Sequence, residues 1–315
     1  MIDHSIGVDI SKDWLDAHRL IDAKSRRFAN DRRGFRALIA WMGDGTNESV
    51  VRVVYEPTGP YHRKLEQALA AAGLPLVKVN PRRAHRFFDA AGQIAKTDRL
   101  DAAMLARMGC LLALAPRLPR TPMLNQLKDL HMAREALVKD RTAAKNRAKT
   151  LVLPLLKRCN AERLRQIERQ MRAIEAEIMA HIQADPDLAA TFAILVSIPG
   201  ISAVTAFALI IDMPELGALE ANEAAALVGL APVTRQSGQW RGRAFIRGGR
   251  ANLRRALYMP ALVAARFNPD LKAKYDKLRA VGKPPKLAIT AIMRKLVILA
   301  NALIKAQRTW TPKQA

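Results

Sequence analysis

Cysteine is nearly absent: 315 residues contain only Cys110 and Cys159, far apart, with neither a CxxC spacing nor a histidine beside them. That scarcity excludes a disulfide scaffold and a thiolate metal centre, and both thiols are expected reduced within a core. The six histidines are scattered without metal-ligand spacing, which argues against a histidine-held zinc. Glycine-rich nucleotide motifs are missing downstream of the opening GVDIS strand, which counts against a sugar-kinase-like ATPase that would begin the same way. No early segment joins a basic stretch to an apolar one, and the long apolar run from Leu287 to Ile304 is interrupted by Arg294 and Lys295. Neither a secretion leader nor a membrane span is expected, so the reading is of a cytoplasmic protein without a membrane partner.

Acidic residues are also in short supply. Against 52 Lys+Arg there are 28 Asp+Glu, a formal net charge of +24. A balance so basic points to a polyanionic partner, bound largely through counterion release and therefore sensitive to salt. Half of the residues are hydrophobic, enough for real cores, and the length fits two domains and a connector.

Four of the few acids sit where metal-dependent phosphodiester chemistry wants them. Ser5 to Ile10 is a short apolar run that presents Asp9 from one face, as expected of a buried strand. Val50 to Tyr55 is β-branched or aromatic apart from Arg52 and stops at Pro57, which puts Glu56 at a strand's C-terminal end. From about Lys96 the pattern turns helical, with Leu100, Met104, Leu105 and Met108 on one side, and a spacing of three places Asp98 and Asp101 on a shared face. Clustered carboxylates raise one another's pKa unless a cation sits among them, and oxygen-only ligands select Mg²⁺ or Mn²⁺. Two such ions would serve strand cleavage. Taken one at a time, the same acids also read as a helix cap, a solvated side chain and a turn residue.

The segments IGVDISK, YEPTG and KTDRLDA resemble the N-terminal RuvC-like domain of the DEDD transposases, the insertion sequence 110 family that includes Piv-type DNA invertases. The stretch AALVGLAPVTRQSGQWRGRAFIRGGRANLRRALYMPAL is similar to the C-terminal transposase domain of that family. The resemblance implies Asp9, Glu56, Asp98 and Asp101 as metal ligands and Ser237 as the nucleophile that joins DNA covalently. It further implies a bridge-type non-coding RNA that pairs with target and donor DNA. A homo-oligomer, dimer or tetramer, with a site composed across protomers, and a bacterial, nucleoid-associated setting follow from it as well. Without the resemblance, Ser237 reads as a loop serine, because no histidine base lies near it in sequence.

The expected organisation is an α/β RNase H-like (RuvC-like) domain over residues 1–115, a helical, coiled-coil-like connector over 123–185, and a mainly α domain over 186–315. Within the first, Tyr61 to Ala72 reads as a helix and Leu76 to Val79 as a strand, and Arg82, Arg83 and Arg86 beside Phe87 and Phe88 read as a nucleic-acid contact or as core. Pro116, Pro119 and Pro122 mark a linker. In the connector, Leu164, Ile167, Met171, Ile174 and Ile178 form a heptad-like stripe that suits self-association or a hairpin folded on the preceding helix, and Arg134, Lys139 and Arg141 ahead of it suit phosphates or solvent. Ile198 to Ala206 resembles a helix-hairpin-helix turn in which Gly200 would open backbone N–H groups to phosphate, with a plain αα-hairpin as the other reading. Arg235, Gly238, Arg241, Arg243, Arg247 and Arg250 surround Ser237 in a loop suited to approaching a phosphate.

Three function classes fit. The first is a metal-dependent serine recombinase or transposase acting on element ends. The second is an RNase H-like junction-resolving nuclease in which Ser237 takes no part. The third is a nucleic-acid-binding protein without catalysis.

Overall fold

Alternation along the opening strand sets the first layer. The computed structural model describes residues 4–43, 50–93, 95, 97–116, 121–238, 240–242 and 244–312. Ser5–Ile10 is β1. Ile6, Val8 and Ile10 enter one core while Gly7 and Asp9 take the opposite face. Trp14–Arg19 (β2) and Ser25–Ala29 (β3) continue as an antiparallel meander. After Arg32–Gly43 (α1), Arg52–Tyr55 (β4) runs parallel to β1, and Leu76–Lys78 (β5) runs parallel to β4 beyond His62–Ala71 (α2). The sheet order is β3-β2-β1-β4-β5. Pro81–Ala90 (α3) and Asp98–Leu111 (α4) follow.

The α4 helix lies on β1 with almost no room between them. A Cβ added at Gly7 would stand 1.9 Å from the Ala102 carbonyl oxygen and 2.6 Å from the Ala106 nitrogen. Small residues on both elements therefore allow backbone to approach backbone. At the far end, Arg52 donates from Nη1 to the Gly109 carbonyl at 2.6 Å. The one charge in the β4 run is thus a cation at a helix C-terminus. Thr97 caps the start of α4, accepting from the Leu100 N–H at 3.3 Å, so Asp98 is the first helical residue rather than the cap.

The chain divides into two compact units, Met1–Arg120 and Thr121–Ala315. The first is α/β, and the second is mainly helical. In the second, Pro122–Ala148 (α5) and Pro154–Gln183 (α6) form an antiparallel hairpin, with Asn160 bonded to the Ala144 carbonyl and Arg134 to Glu175. Ile167, Met171 and Ile178 are buried, so the heptad-like stripe is satisfied largely within the chain. Cys159 lies off that stripe and is exposed, and Cys110 on α4 is half-buried. The expectation of two core thiols is corrected accordingly: Cys159 sits on the face of α6 away from the buried Ile167, Met171 and Ile178, and Cys110 is only partly covered.

Pro186–Ser197 (α7), Ala203–Asp212 (α8) and Ala221–Val228 (α9) come next. Two short antiparallel pairs follow: Pro232–Val233 (β6) with Phe245–Ile246 (β9), and between them Gln236–Ser237 (β7) with Trp240–Arg241 (β8). Ala251–Ala256 (α10), Tyr258–Phe267 (α11), Pro269–Ala280 (α12) and Pro285–Lys305 (α13) complete the unit. The α13 helix is long and apolar enough to cross a membrane by length and composition. Its Ile289, Ile292, Met293, Leu296 and Val297 are instead buried at the centre of this unit's core.

Gly7→Ala should destabilise the first unit by at least about 1–3 kcal/mol, since the new methyl meets helix backbone that cannot rotate away. Urea unfolding followed by Trp41 fluorescence measures this, and a variant as stable as wild type would show that α4 is held at a distance.

Candidate active site

The β1–α4 contact gathers the acids. Asp9 shares the Gly7 face of β1, and Tyr55 pairs with Val8 in the parallel ladder, so Glu56 follows at the C-terminal end of the neighbouring strand. Asp98 and Asp101 occupy the first turn of α4. All four carboxylates line one cavity of about 600 Å³, together with Thr58, Arg82 and Phe88. Burial first, then the charges of Asp98 and Asp101, push Asp9 from the usual 3.8 up to about 6, against a backbone hydrogen bond at Ile10 that lowers it.

Two neighbours were not legible in sequence. Asp16 stands directly opposite Asp9 in the antiparallel β1–β2 register and adds to the upward push. Arg27, opposite Asp16 on β3, bonds Asp16 at 2.9 Å and Asp98 at 3.1 Å, a half-exposed cation bridging two acids. The charges of β2 and β3 gave a usable signal only once the hairpin register was known. His85 and Asp89, joined at 3.0 Å on α3, also line the cavity.

The donor set is chemically suited to a hard divalent cation: four carboxylates that offer oxygen ligands only, one of them pushed up by burial and by its acidic neighbours. Among the described residues, no group of three or more such side chains is already gathered closely enough to hold a metal ion. Coordination by Asp9, Glu56, Asp98 and Asp101 would require rotation of side chains that share the cavity. On α3, Arg82 lines that cavity, while Arg83 and Arg86 are exposed outside its lining. Phe87 and Phe88 meet each other edge to face, with ring centroids 6.5 Å apart, and both pack against the apolar layer of Val54, Val77 and Leu105.

Ser237 is exposed on β7, paired across the ribbon with Trp240. Gly238 turns the ribbon with φ +55°, and Arg235, Arg241 and Arg247 are exposed along it. Arg243 lies outside the described residues. Arg250 is committed elsewhere: it grips Glu215 with two bonds of 2.6 and 2.7 Å and donates to the Asp212 carbonyl, anchoring the base of the ribbon. Beside it Gly249 meets Gly229, where a Cβ would stand 2.2 Å from the Gly229 nitrogen. The turn around Gly200 packs on α11, with a Cβ there 2.8 Å from both the Ala264 Cβ and the Pro260 carbonyl oxygen. This glycine is thus used for packing between helices.

An α/β unit with an acidic cavity, in a chain of +24 that also carries a basic helical unit, has the make-up of an enzyme that works on nucleic-acid strands. Residues 6–156 match a family model described as a transposase, and residues 192–276 match the transposase IS116/IS110/IS902 family. The chain belongs to the insertion sequence 110 family of transposases. It is 28% identical over 312 residues to the pilin gene-inverting protein of Moraxella bovis, covering 96% of each chain, and equally so to that of Moraxella lacunata. An insertion element IS110 protein of Streptomyces coelicolor is 31% identical over 157 residues, 49% of this chain and 37% of that one.

Because Asp9 titrates higher in the folded state than unfolded, its ionisation opposes folding. The penalty is absent below the usual 3.8, grows as pH rises, and is complete above about 6. Asp9→Asn should therefore melt at a higher temperature than wild type near pH 7 without divalent ions, and the gain should shrink to nothing on acidification. Differential scanning fluorimetry across pH checks it; a lower melting temperature for the variant near neutrality contradicts the clustering.

Proposed function

We propose that this transposase cuts and rejoins DNA at the ends of a mobile element, using the Ser237 hydroxyl as nucleophile and the Asp9, Glu56, Asp98 and Asp101 cluster as a divalent-cation site. The observation that carries the reading is the placement of four carboxylates around one cavity in a chain with so large an excess of positive charge. An RNase H-like, RuvC-like identity for the first unit belongs to it. The antiparallel trio β3-β2-β1 continued by parallel β4 and β5, with acids at the C-terminal ends of β1 and β4, supports that identity.

In the serine step, the Ser237 oxygen forms a P–O bond as a bridging P–O bond of the DNA breaks. The serine proton ends on the departing DNA oxygen. One phosphodiester replaces another, so rejoining needs no outside energy source and the freed DNA hydroxyl can reverse the step. The ribbon's exposure leaves Ser237 open to a large substrate, and Arg235, Arg241 and Arg247 supply charge to hold it there. Bound among the four acids, Mg²⁺ or Mn²⁺ would supply Lewis-acid activation and neutralise charge on the transferring phosphate. The family resemblance adds a bridge RNA and a site shared between protomers of a homo-oligomer. The names of the two Moraxella relatives, pilin gene-inverting proteins, extend the reading to inversion of a gene.

Ser237→Ala should abolish the covalent protein–DNA adduct seen on denaturing gels while leaving DNA binding within about threefold, as expected for loss of a nucleophile that contributes little to binding. If Ser237→Ala cleaves DNA as wild type does, the chain is a nuclease of the junction-resolving kind. Purified from its host in mild salt, the protein should retain one structured RNA encoded beside its gene. Recovery of random fragments alone would remove the guide from the account.

A further inference from the structure

The ribbon that carries Ser237 also carries an exposed tryptophan. Trp240 is 58% exposed, whereas tryptophan is on average a largely buried residue. Ser237 and Trp240 are direct cross-strand partners in the β7–β8 ladder, so their side chains rise from one face with Cβ atoms about 4.5–5.5 Å apart. Gly242, two residues beyond Trp240, falls on that face as well. Its N–H donates to the Arg235 carbonyl at 3.0 Å, which sets Arg235 across from it and carries the same face one step further. One face of the ribbon therefore presents Arg235, Ser237 and Trp240 together, while Gln236 and Arg241, the next pair in register, take the other.

The indole is held in place. A Cβ added at Gly242 would stand 2.3 Å from Trp240 Cη2, and 2.8 and 2.9 Å from Cζ3 and Cζ2, so the six-membered ring rests in the space a side chain at 242 would fill. Bare glycine backbone thus supports the ring while more than half of the residue stays in water. Keeping aromatic surface in water is unfavourable for the chain alone. The surrounding charge is all of one sign: residues 232–250 contain no Asp or Glu, and Arg235, Arg241 and Arg247 are exposed. A ligand that meets both features has negative charge and a flat apolar face, as a nucleotide does. A lone indole of about 150–250 Å² is too small to dock a protein, which covers about 800 Å² of its partner.

We infer that Trp240 stacks on an unpaired base of the DNA strand held by the ribbon, beside the phosphodiester presented to Ser237. Arg235, on the same face, takes a backbone phosphate of that strand. A base can lie on the indole only after leaving its duplex partner, so the ribbon receives the strand locally unpaired. Every base has a π-face, and the contact therefore fixes position without choosing sequence. The inference rests on the serine reading only for which phosphodiester adjoins the stacked base; the stacking itself needs no nucleophile.

Full-length protein labelled with 5-fluorotryptophan gives four ¹⁹F resonances, one for each tryptophan, and that of Trp240 is the one lost in Trp240→Phe. The protein is titrated with a short mixed-sequence single-stranded DNA, and separately with the RNA of the same sequence, in salt high enough to suppress purely electrostatic contacts. The Trp240 resonance should shift with the DNA. Trp240→Leu should bind that DNA about fivefold or more weakly, the lower end for one stacked base, and Trp240→Phe should recover most of the loss. Neither substitution removes a cation, so the slope of log affinity against log salt should stay as in wild type. The shift should persist in Ser237→Ala, so that the stacking stands even where that variant still cleaves DNA and the serine reading falls. A Trp240 resonance unmoved at saturation by DNA, a shift with RNA alone, or Trp240→Leu binding DNA as wild type does would overturn the inference.

Discussion

The contact of α4 with β1 at Gly7 is the constraint on which the acidic cavity depends. With no side chain at Gly7 and only methyl groups at Ala102 and Ala106, helix backbone rests directly on strand backbone. The first turn of α4 therefore arrives beside the carboxylate two residues further along β1. Arg52 holds the other end of the helix through the Gly109 carbonyl, so the helix is pinned at both ends of its contact with the sheet. The result is an electrostatically costly grouping, in which Asp9 is buried beside Asp98 and Asp101 and faces Asp16 across the ladder. Packing energy from the two apolar layers on either side of the sheet offsets that cost. Arg27 relieves part of it, but as a half-exposed cation bonded to Asp16 and Asp98 it compensates weakly. Perturbed, clustered carboxylates of this kind are the basis on which a divalent-cation role is proposed for them.

The second unit solves a different problem: how to fix an exposed ribbon. Its strands are only two residues long and bury little. Order is imposed from the base, where Arg250 clamps Glu215, Arg254 bonds the Gly248 carbonyl at 2.7 Å, and Gly249 meets Gly229 at the left-handed end of α9. Arg250 at the end of the basic loop and Arg254 on α10 thus serve structure, and Arg235, Arg241 and Arg247 remain exposed.

Much of the α/β unit was legible because its strands are apolar and end at proline or glycine. Asp9, Glu56, Asp98 and Asp101 fall on β1, after β4 and on α4, as the alternation and the spacing of three suggested. The strands β2 and β3 were opaque, since WLDAHR and SRRFA carry charges on a partly solvated face and no long apolar run. Asp16 and Arg27 were hidden with them, because cross-strand neighbours depend on register that composition does not reveal. Arg250 looked like its neighbours in sequence, and only the fold sets it against Glu215.

The most direct test of the account is a Mn²⁺ titration of the wild-type protein at neutral pH, with free ion followed by electron paramagnetic resonance. The account predicts saturable loss of the free-ion signal, weakened when Asp98 and Asp101 are both replaced by asparagine. A signal that follows the protein-free standard throughout would contradict it, leaving the gathered carboxylates without the cation that explains them.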